Sequence, residues 1–269
     1  MLLIVSVSGG AGSTLAAHKT VEKFGLDDVE LVFADTNTED ESLYKLLEKM
    51  ESNLKPITRL SDNRDIWDCF DDSGIIRTPT GACKASLELK QKPIARWVKE
   101  NCNPSDVIVS GLDWTEEDRI KRFDKKWYPY GTYHPMAEEE NKMALCDMKS
   151  ELEHYGYPTQ DLYEKQYPHN NCGGGCVLAG LAQWAGVRRD FPKRFEYHKK
   201  REAEFNKKHN NDFTVLRDQS NNTAKPLSLT EFEIKLKNNS VNLRDFRTGC
   251  GCMLGEQTNI FAELNKGRE

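Results

Sequence analysis

The stretch SVSGGAGSTLAAHK, residues 6–19, decides how the first half of the chain is expected to fold. It follows Leu2-Leu3-Ile4-Val5, a short apolar run that suits a strand buried on both faces of a parallel sheet. Apolar and small residues then recur at helical spacing, so the sequence predicts a helix from near Ser13. A strand, a glycine turn and a helix N-terminus in this order are typical of phosphate-binding sites, because free backbone N–H groups and the helix dipole converge there.

Strand and helix patterns continue to alternate up to about residue 135. Strands are predicted within VELVFADT (29–36), KPITRL (55–60) and DVIVSG (106–111), and helices within EDESLYKLLEKM (39–50), SLELKQKPIARWVKE (86–100) and WTEEDRIKR (114–122). This alternation is typical of an α/β fold with a doubly wound parallel sheet. Ligands of such sheets bind beyond the carboxyl ends of the strands, where we expect the loops at 8–13, 35–36 and 111–117.

Beyond about residue 135 helical patterns replace the alternation. Helices are predicted at 137–155, 192–208 and 228–237, with a short strand TVLR at 214–217. We interpret residues 1–135 as a nucleotide-binding domain and residues 136–269 as a mainly helical, cysteine-bearing region.

Composition and charge narrow the class of protein. The 269 residues can bury a full core, and a formal net charge of -5 gives no bulk attraction for nucleic acid. The opening apolar stretch is too short for a signal peptide, and no run approaches the ~18 apolar residues of a membrane span. We therefore expect a soluble cytoplasmic protein without a membrane partner. Nothing in the sequence indicates its oligomeric state.

Four of the eight cysteines are paired at short spacing. Cys172 and Cys176 lie in HNNCGGGCVLAG (169–180), and Cys250 and Cys252 lie in GCGCM (249–253). A reducing compartment disfavours a disulfide framework and favours metal or redox chemistry. Structural zinc prefers C-x2-C pairs, whereas C-x3-C and C-x-C among glycines suit an iron–sulfur cluster such as [4Fe-4S]. The cluster is the favoured interpretation, with zinc or buried thiols as the alternatives.

Four segments, in order, resemble the PP-loop (adenine nucleotide α-hydrolase-like) superfamily and its PAPS reductase-like branch. Ser8-Gly9-Gly10-Ala11-Gly12-Ser13 resembles the S-G-G-x-[DG]-S loop, and VFADTNTEDE (32–41) resembles the second strand with its Asp-Thr turn. RTPTGACKASLELKQKP (77–93) is similar to the R…C…LK…P stretch of the reductase branch, and SGLDWTEEDRIKR (110–122) to its G…E…R segment.

The resemblance implies a set of functional residues. The implied nucleotide-binding residues are Ser6, Ser8, Gly9, Gly10, Gly12, Ser13, Asp35, Thr36, Gly111, Glu117 and Arg122. The implied catalytic residues are Asp35, Cys83, Lys90 and Arg119. Cys83 would carry sulfur or touch the nucleotide, and its neighbour Lys84 could lower its pKa. The alternative is an ordinary thiol near the start of a helix.

The resemblance also implies an ATP pyrophosphatase or sulfurtransferase activity. ATP, with Mg²⁺, is attacked at the α-phosphate, AMP passes to an oxygen, pyrophosphate leaves into the loop, and sulfur displaces the adenylate. A tRNA, a DNA or a nucleoside would be the acceptor, and a cysteine desulfurase the sulfur donor. Two departures from the family keep alternatives open: Gly12 stands where ATP-using members have Asp, and the reductases' C-terminal E-C-G-x-H motif is absent. The alternatives are a PAPS/APS-type sulfonucleotide reductase and a non-catalytic nucleotide-binding cluster protein.

Overall fold

The computed structural model describes residues 1–218 and 224–241. The strands of the main sheet are β1 (Leu3–Val7), β2 (Val29–Ala34), β3 (Ile57–Leu60), β4 (Val107–Val109) and β5 (Gly131–Tyr133). The helices among them are α1 (Ala11–Phe24), α2 (Glu41–Asn53), α3 (Ile66–Ser73), α4 (Lys92–Asn101) and α5 (Glu117–Trp127). The later elements are α6 (Leu145–His154), α7 (Asp161–Glu164), α8 (Leu181–Asp190), α9 (Pro192–His209), the hairpin β6 (Leu216–Asp218) and β7 (Lys225–Leu227), and α10 (Leu229–Lys237).

The five strands form one parallel sheet in the order β3-β2-β1-β4-β5. The predicted α/β fold with a doubly wound parallel sheet is therefore confirmed. Alternate residues of β1 point to opposite faces: Leu3 and Val5 pack with α1 and α2, whereas Ile4 packs with α4 and α5. The strand order reverses between β1 and β4, so the loops after these two strands flank the switch point of the sheet.

The later helices pack in two places. Met148 and Leu152 of α6 join the apolar cluster that covers one face of the sheet beside α1. Trp67 of α3 instead packs with Phe195 and Phe205 of α9, in a second cluster that also contains α8 and α10. The helices of the second half thus contact the first half both at the sheet and through α3. The domain boundary at 135/136 stays a prediction.

Several elements differ from their sequence-based predictions. Helix α1 begins at Ala11, two residues before the predicted start, because Gly10 is already its N-cap. The helix predicted at 137–155 is confined to Leu145–His154, after two short 3₁₀ turns. The strand predicted from Thr214 begins at Leu216, and the carbonyls of Thr214 and Val215 before it accept hydrogen bonds from Arg77.

Among the described elements, five were not predicted: β5, α3, α7, α8 and β7. Strand β5 has three residues, too few to show a hydrophobic pattern. Helix α3 has a capping box between Asp65 and Asp68, a signal that is readable in the sequence. In the part of the chain that the structure describes, none of the helices has both the length and the apolar character that crossing a membrane requires.

A buried carboxylate holds the hairpin and α10 onto α9. Glu202 of α9 is 2% exposed and accepts hydrogen bonds from the backbone N–H groups of Val215 and Leu229, each at 2.7 Å. Burial raises the pKa of Glu202 from 4.5 to about 7. The folded protein therefore binds a proton at Glu202 more tightly than the unfolded chain does.

This shift predicts a pH-dependent contribution to stability. Between pH 4.5 and about 7 the folded state holds more protons at Glu202, so the free energy of unfolding falls as the pH rises through this window. Glu202→Gln should remove that slope, with a difference from the wild type of about 3 kcal/mol across the window. Denaturant unfolding of both proteins at pH 5 and pH 8 measures it. Parallel pH profiles would show that Glu202 does not titrate in this range.

Candidate functional site

The loop Ser8–Ser13 carries the N-terminus of α1 to the carboxyl edge of the sheet. Its conformation depends on Gly9, which has a φ of +73° and on which a Cβ would lie 2.7 Å from Leu43 Cγ. The Ser8 and Ser13 hydroxyls are 3.0 Å apart, and the Ser13 hydroxyl donates to the Gly10 carbonyl. Gly10 gives α1 no side-chain cap, and the first turn contains no acidic residue. The dipole of this 14-residue helix therefore favours an anion at the loop.

The first turn of α1 touches the end of β4 through backbone atoms. A Cβ on Gly12 would lie 2.5 Å from the Gly111 carbonyl oxygen, and a Cβ on Gly111 would lie 2.4 Å from the Ser13 nitrogen. The structure thus brings together two of the predicted site glycines at the switch point. It also gives a physical reason why position 12 has no aspartate, since any side chain there meets the Gly111 carbonyl.

Two amide side chains from the second half hold the loop from its other side. The Gly9 carbonyl accepts hydrogen bonds from Gln160 Nε2 at 2.7 Å and Asn170 Nδ2 at 3.3 Å. Asn170 also donates to Gln160 Oε1 at 2.6 Å, and both side chains are buried. Sequence reasoning missed both residues, although Asn170 stands two positions before Cys172.

Glu39 is the main functional candidate that sequence reasoning missed. Its side chain is 1% exposed, and its Oε1 accepts from Lys90 Nζ at 2.8 Å and from the Thr36 hydroxyl at 3.0 Å. Its Oε2 accepts from the Cys172 backbone N–H at 3.0 Å. Glu39 therefore brings two predicted site residues, Thr36 and Lys90, to the cysteine loop. Its position three residues after Thr36, in the quoted DTNTEDE stretch, was the available signal.

Two other predicted site residues, Asp35 and Ser6, lie at or within strands and contact neighbouring residues. Asp35 Oδ1 accepts from the Asn37 backbone N–H and from the Tyr44 hydroxyl, each at 2.8 Å, and this contact together with burial raises the pKa of Tyr44. Ser6 lies within β1, opposite Val32 of β2.

The predicted residues of α5 lie on a more exposed surface. Glu117 is exposed and forms an ion pair with Lys121 at 2.7 Å. Arg122 is also exposed and donates to the backbone carbonyl of Asp118. Arg119 is half-buried and forms an ion pair with Glu116. Of these three predicted residues, Arg119 is the least exposed.

The segment Cys172–Cys176, here called the cysteine loop, is held at each position by another element. Cys172 has a φ of +50°, an uncommon conformation for a residue with a side chain, and Gly173 and Gly174 have positive φ as well. The carbonyls accept hydrogen bonds from three side chains: Arg194 on Gly173, Gln183 on Gly174 and Trp184 on Cys176.

His198 fixes the fourth position of the cysteine loop by close packing. A Cβ on Gly175 would lie 2.1 Å from His198 Nε2, so only glycine fits there. His198 Nδ1 accepts from Trp67 Nε1 at 2.9 Å, and burial lowers the pKa of His198 to about 4. The ring is therefore neutral at pH 7, with its proton on Nε2 against the loop.

The donor set for a metal group is only partly described. Cys172 and Cys176 are buried, whereas Cys250 and Cys252 lie outside the described residues. Within 1–218 and 224–241, no group of three or more metal-ligating side chains forms. Two thiols four positions apart in a fixed glycine loop fit half of a four-thiolate set.

Cys83 differs from its sequence-based prediction. Its pKa is raised rather than lowered, and the neighbouring Lys84 forms an ion pair with Glu88 at 2.9 Å. Burial raises the pKa of Cys83, against the smaller effect of the backbone N–H groups of Ala85 and Ser86. The thiol is therefore protonated at neutral pH. Cys83 nevertheless lies in the same apolar cluster as the cysteine loop.

Another neutral histidine lies between the two loops. Burial, with a smaller effect of Lys90, lowers the pKa of His169 to about 4. Its Nδ1 is buried and has no hydrogen-bond partner in the described part of the chain. His169 precedes Asn170, which contacts the Ser8–Ser13 loop, and it lies close enough to Lys90 for that ammonium to affect its pKa.

Comparisons with known proteins give a structural neighbour and a curated relative, both at low sequence identity. No family model matches it. It is similar to a phosphoadenylyl-sulfate (PAPS) reductase from Candida auris, solved as a phosphate complex, with a TM-score of 0.42 and 16% identity over 62% of this chain and 79% of that chain. The PAPS reductase-like resemblance rests on the four motif segments, and at this identity and TM-score the structural likeness assigns no family.

A curated relative extends the comparison but names no activity. An uncharacterized protein of Methanocaldococcus jannaschii is 26% identical over 216 residues. The match covers 77% of this chain but 43% of the relative, so the chain spans less than half of that protein's length.

The close approach of Gly12 to β4 predicts a sharp contrast between two glycines of one loop. Gly12→Ala should destabilise the protein by about 1–3 kcal/mol, because the methyl group meets a backbone carbonyl. Gly10→Ala is the matched control: Gly10 has a φ of -80° and its nearest neighbour would lie 3.5 Å away, so stability should change by no more than about 0.5 kcal/mol. Denaturant unfolding of both variants decides the matter, and equal stabilities would show that α1 and β4 are not in contact.

Proposed function

We propose that the chain is a PP-loop-type nucleotide enzyme that adenylates an oxygen of a nucleic acid or nucleoside and supports its replacement by sulfur. The observation that carries this proposal is the uncapped N-terminus of α1 in the Ser8–Ser13 loop, at the switch point of the sheet. Backbone N–H groups and the helix dipole there suit a pyrophosphate leaving group. Lys90, Thr36 and Glu39 lie beside the same edge.

The proposed reaction has two steps, adenylation of the acceptor and displacement of the adenylate by sulfur. The acceptor oxygen attacks the α-phosphorus of ATP, the bond from that phosphorus to the bridging oxygen breaks, and pyrophosphate leaves with the electron pair. A sulfide equivalent then attacks the acceptor atom that bears the adenylated oxygen, the bond between that atom and the oxygen breaks, and AMP leaves with the oxygen. A cysteine desulfurase persulfide together with a thiol reductant would supply sulfur at that oxidation level. Mg²⁺ would accompany the nucleotide.

The cysteines would hold the iron–sulfur cluster of the proposal. Cys172 and Cys176 would be two of its ligands and Cys250 and Cys252 the other two, which completes a four-thiolate set, and the cluster would support the sulfur-insertion step. The contact of Cys172 with Glu39 supports a cluster close to the nucleotide loop. The buried, protonated Cys83 is better suited to the wall of that site than to nucleophilic attack.

The two alternatives have less support. A sulfonucleotide reductase with a relocated redox cysteine requires a reactive thiolate near the nucleotide, and the raised pKa of Cys83 argues against that role for this residue. A non-catalytic nucleotide-binding cluster protein would bind ATP without releasing pyrophosphate. Pyrophosphate release from ATP and sulfite release from PAPS distinguish the three functions.

Nucleotide binding should depend on Gly10. Gly10→Val places a branched side chain at the mouth of the loop without a close contact to its Cβ, so the protein should fold while affinity for ATP and pyrophosphate falls by about tenfold or more. Isothermal titration measures affinity, and pyrophosphate release is assayed with ATP and bulk tRNA or DNA. Gly10→Ala is the control for folding. Unchanged affinity of Gly10→Val for both ATP and PAPS would refute binding at this loop.

The cluster is tested separately from the nucleotide. Anaerobically purified protein should be brown, absorb near ~400 nm and contain iron. Cys172→Ser and Cys250→Ser should each lose most of the iron, whereas Cys146→Ser, at an exposed position, should keep it. Colourless anaerobic protein with one zinc per chain would leave only a structural role for these cysteines.

A further inference from the structure

We propose that Glu39 is a positioning residue that couples phosphate binding at the Ser8–Ser13 loop to the conformation of the cysteine loop. The inference rests on the proposed phosphate binding at that loop and deepens it. It assigns a role to a buried carboxylate that the motifs did not identify.

The contacts of Glu39 reach both sides of the site. Its Oε1 accepts hydrogen bonds from the Lys90 ammonium and the Thr36 hydroxyl, and its Oε2 accepts one from the Cys172 backbone N–H. A carboxylate that is 1% exposed has little water to compensate its charge, so it depends on these donors. The ammonium of Lys90 is the cation among them.

The Cys172 end of this contact is conformationally constrained. The left-handed backbone of Cys172 is unfavourable for a residue with a side chain and persists only where its surroundings enforce it. The bond from Glu39 to the Cys172 N–H is one enforcing contact. The next residue, Asp40, supplies a second: it pairs with Arg194 at 2.7 Å, and Arg194 donates to the Gly173 carbonyl. Adjacent residues before α2 therefore both hold the cysteine loop.

The Lys90 end responds to a bound anion. A phosphate group at the Ser8–Ser13 loop offers Lys90 a second negative partner, in competition with Glu39. As Lys90 shifts toward the phosphate, the Glu39 carboxylate loses part of its interaction with the ammonium and relies more on its hydrogen bond from the Cys172 N–H. The protection of that N–H from hydrogen exchange therefore changes. By linkage, a change in the cysteine loop alters phosphate affinity by the same factor.

The Ser8–Ser13 loop and the cysteine loop are also linked through Asn170, and the test must distinguish this contact from Glu39. Asn170 donates to the Gly9 carbonyl and stands two residues before Cys172. If this amide carried the coupling, removing the charge of Glu39 would leave it intact.

The test is hydrogen–deuterium exchange of the anaerobically purified protein, with and without inorganic pyrophosphate. The peptides of interest cover residues 6–16 and 169–178. In the wild type, pyrophosphate should protect the first peptide and change the exchange rate of the Cys172 region by about fivefold or more. In Glu39→Gln the first peptide should still be protected, while the second should no longer respond. Glu48→Gln, an exposed carboxylate of α2, is the matched control and should behave as the wild type.

The other possible outcomes of the exchange experiment refute the coupling, the role of Glu39 or phosphate binding. Protection of 6–16 with no response of 169–178 in the wild type would refute the coupling and leave the proposed function standing. A response that persists in Glu39→Gln would refute the assignment to Glu39. Protection of neither peptide in the wild type would refute phosphate binding, and the coupling with it. If Glu39→Gln does not fold, Glu39→Asp keeps the charge but shortens the reach by one methylene, and the same loss of response is expected.

Discussion

The close contact between the first turn of α1 and the end of β4 is the constraint on which the candidate site depends. Gly12 and Gly111 let two backbones meet where side chains would keep them apart. This contact fixes the position of the α1 N-terminus relative to the sheet, and therefore the direction in which its N–H groups and dipole act. The Gly9 carbonyl, held by Gln160 and Asn170, fixes the loop from the opposite side. The loop is therefore held in place from two sides.

The cysteine loop follows the same principle with different groups. Three of its carbonyls accept side-chain hydrogen bonds, one N–H donates to Glu39, and Gly175 packs against His198. Residues 172–176 are buried, so their backbone groups cannot bond to water and need partners within the protein. These contacts and the left-handed conformation of Cys172 fix the backbone from which the two thiols project.

Much of the fold could be predicted from the sequence because buried parallel strands read as short apolar runs. The apolar runs ending near Val7, Ala34 and Val109 predicted strands that the structure contains. The glycine loop after the first run predicted helix α1. Strand β5 could not be predicted this way, since it is short and lies at the edge of the sheet. The motif residues Thr36 and Lys90 could be chosen in advance, but their meeting at Glu39 is a tertiary contact that no spacing reveals.

Cys83 shows why adjacency in sequence is a poor guide to electrostatics. Lys84 was expected to stabilise a thiolate at the adjacent Cys83. Its ammonium instead pairs with Glu88, one helical turn further along the chain. The sulfur points instead into the apolar cluster shared with the cysteine loop, where burial favours the neutral thiol. Glu39 is the converse case: its partners lie 51 and 133 residues away, and the burial that makes its charge costly also makes it sensitive to them. Glu39 is therefore a buried charge at which side chains and backbone from both halves of the chain meet.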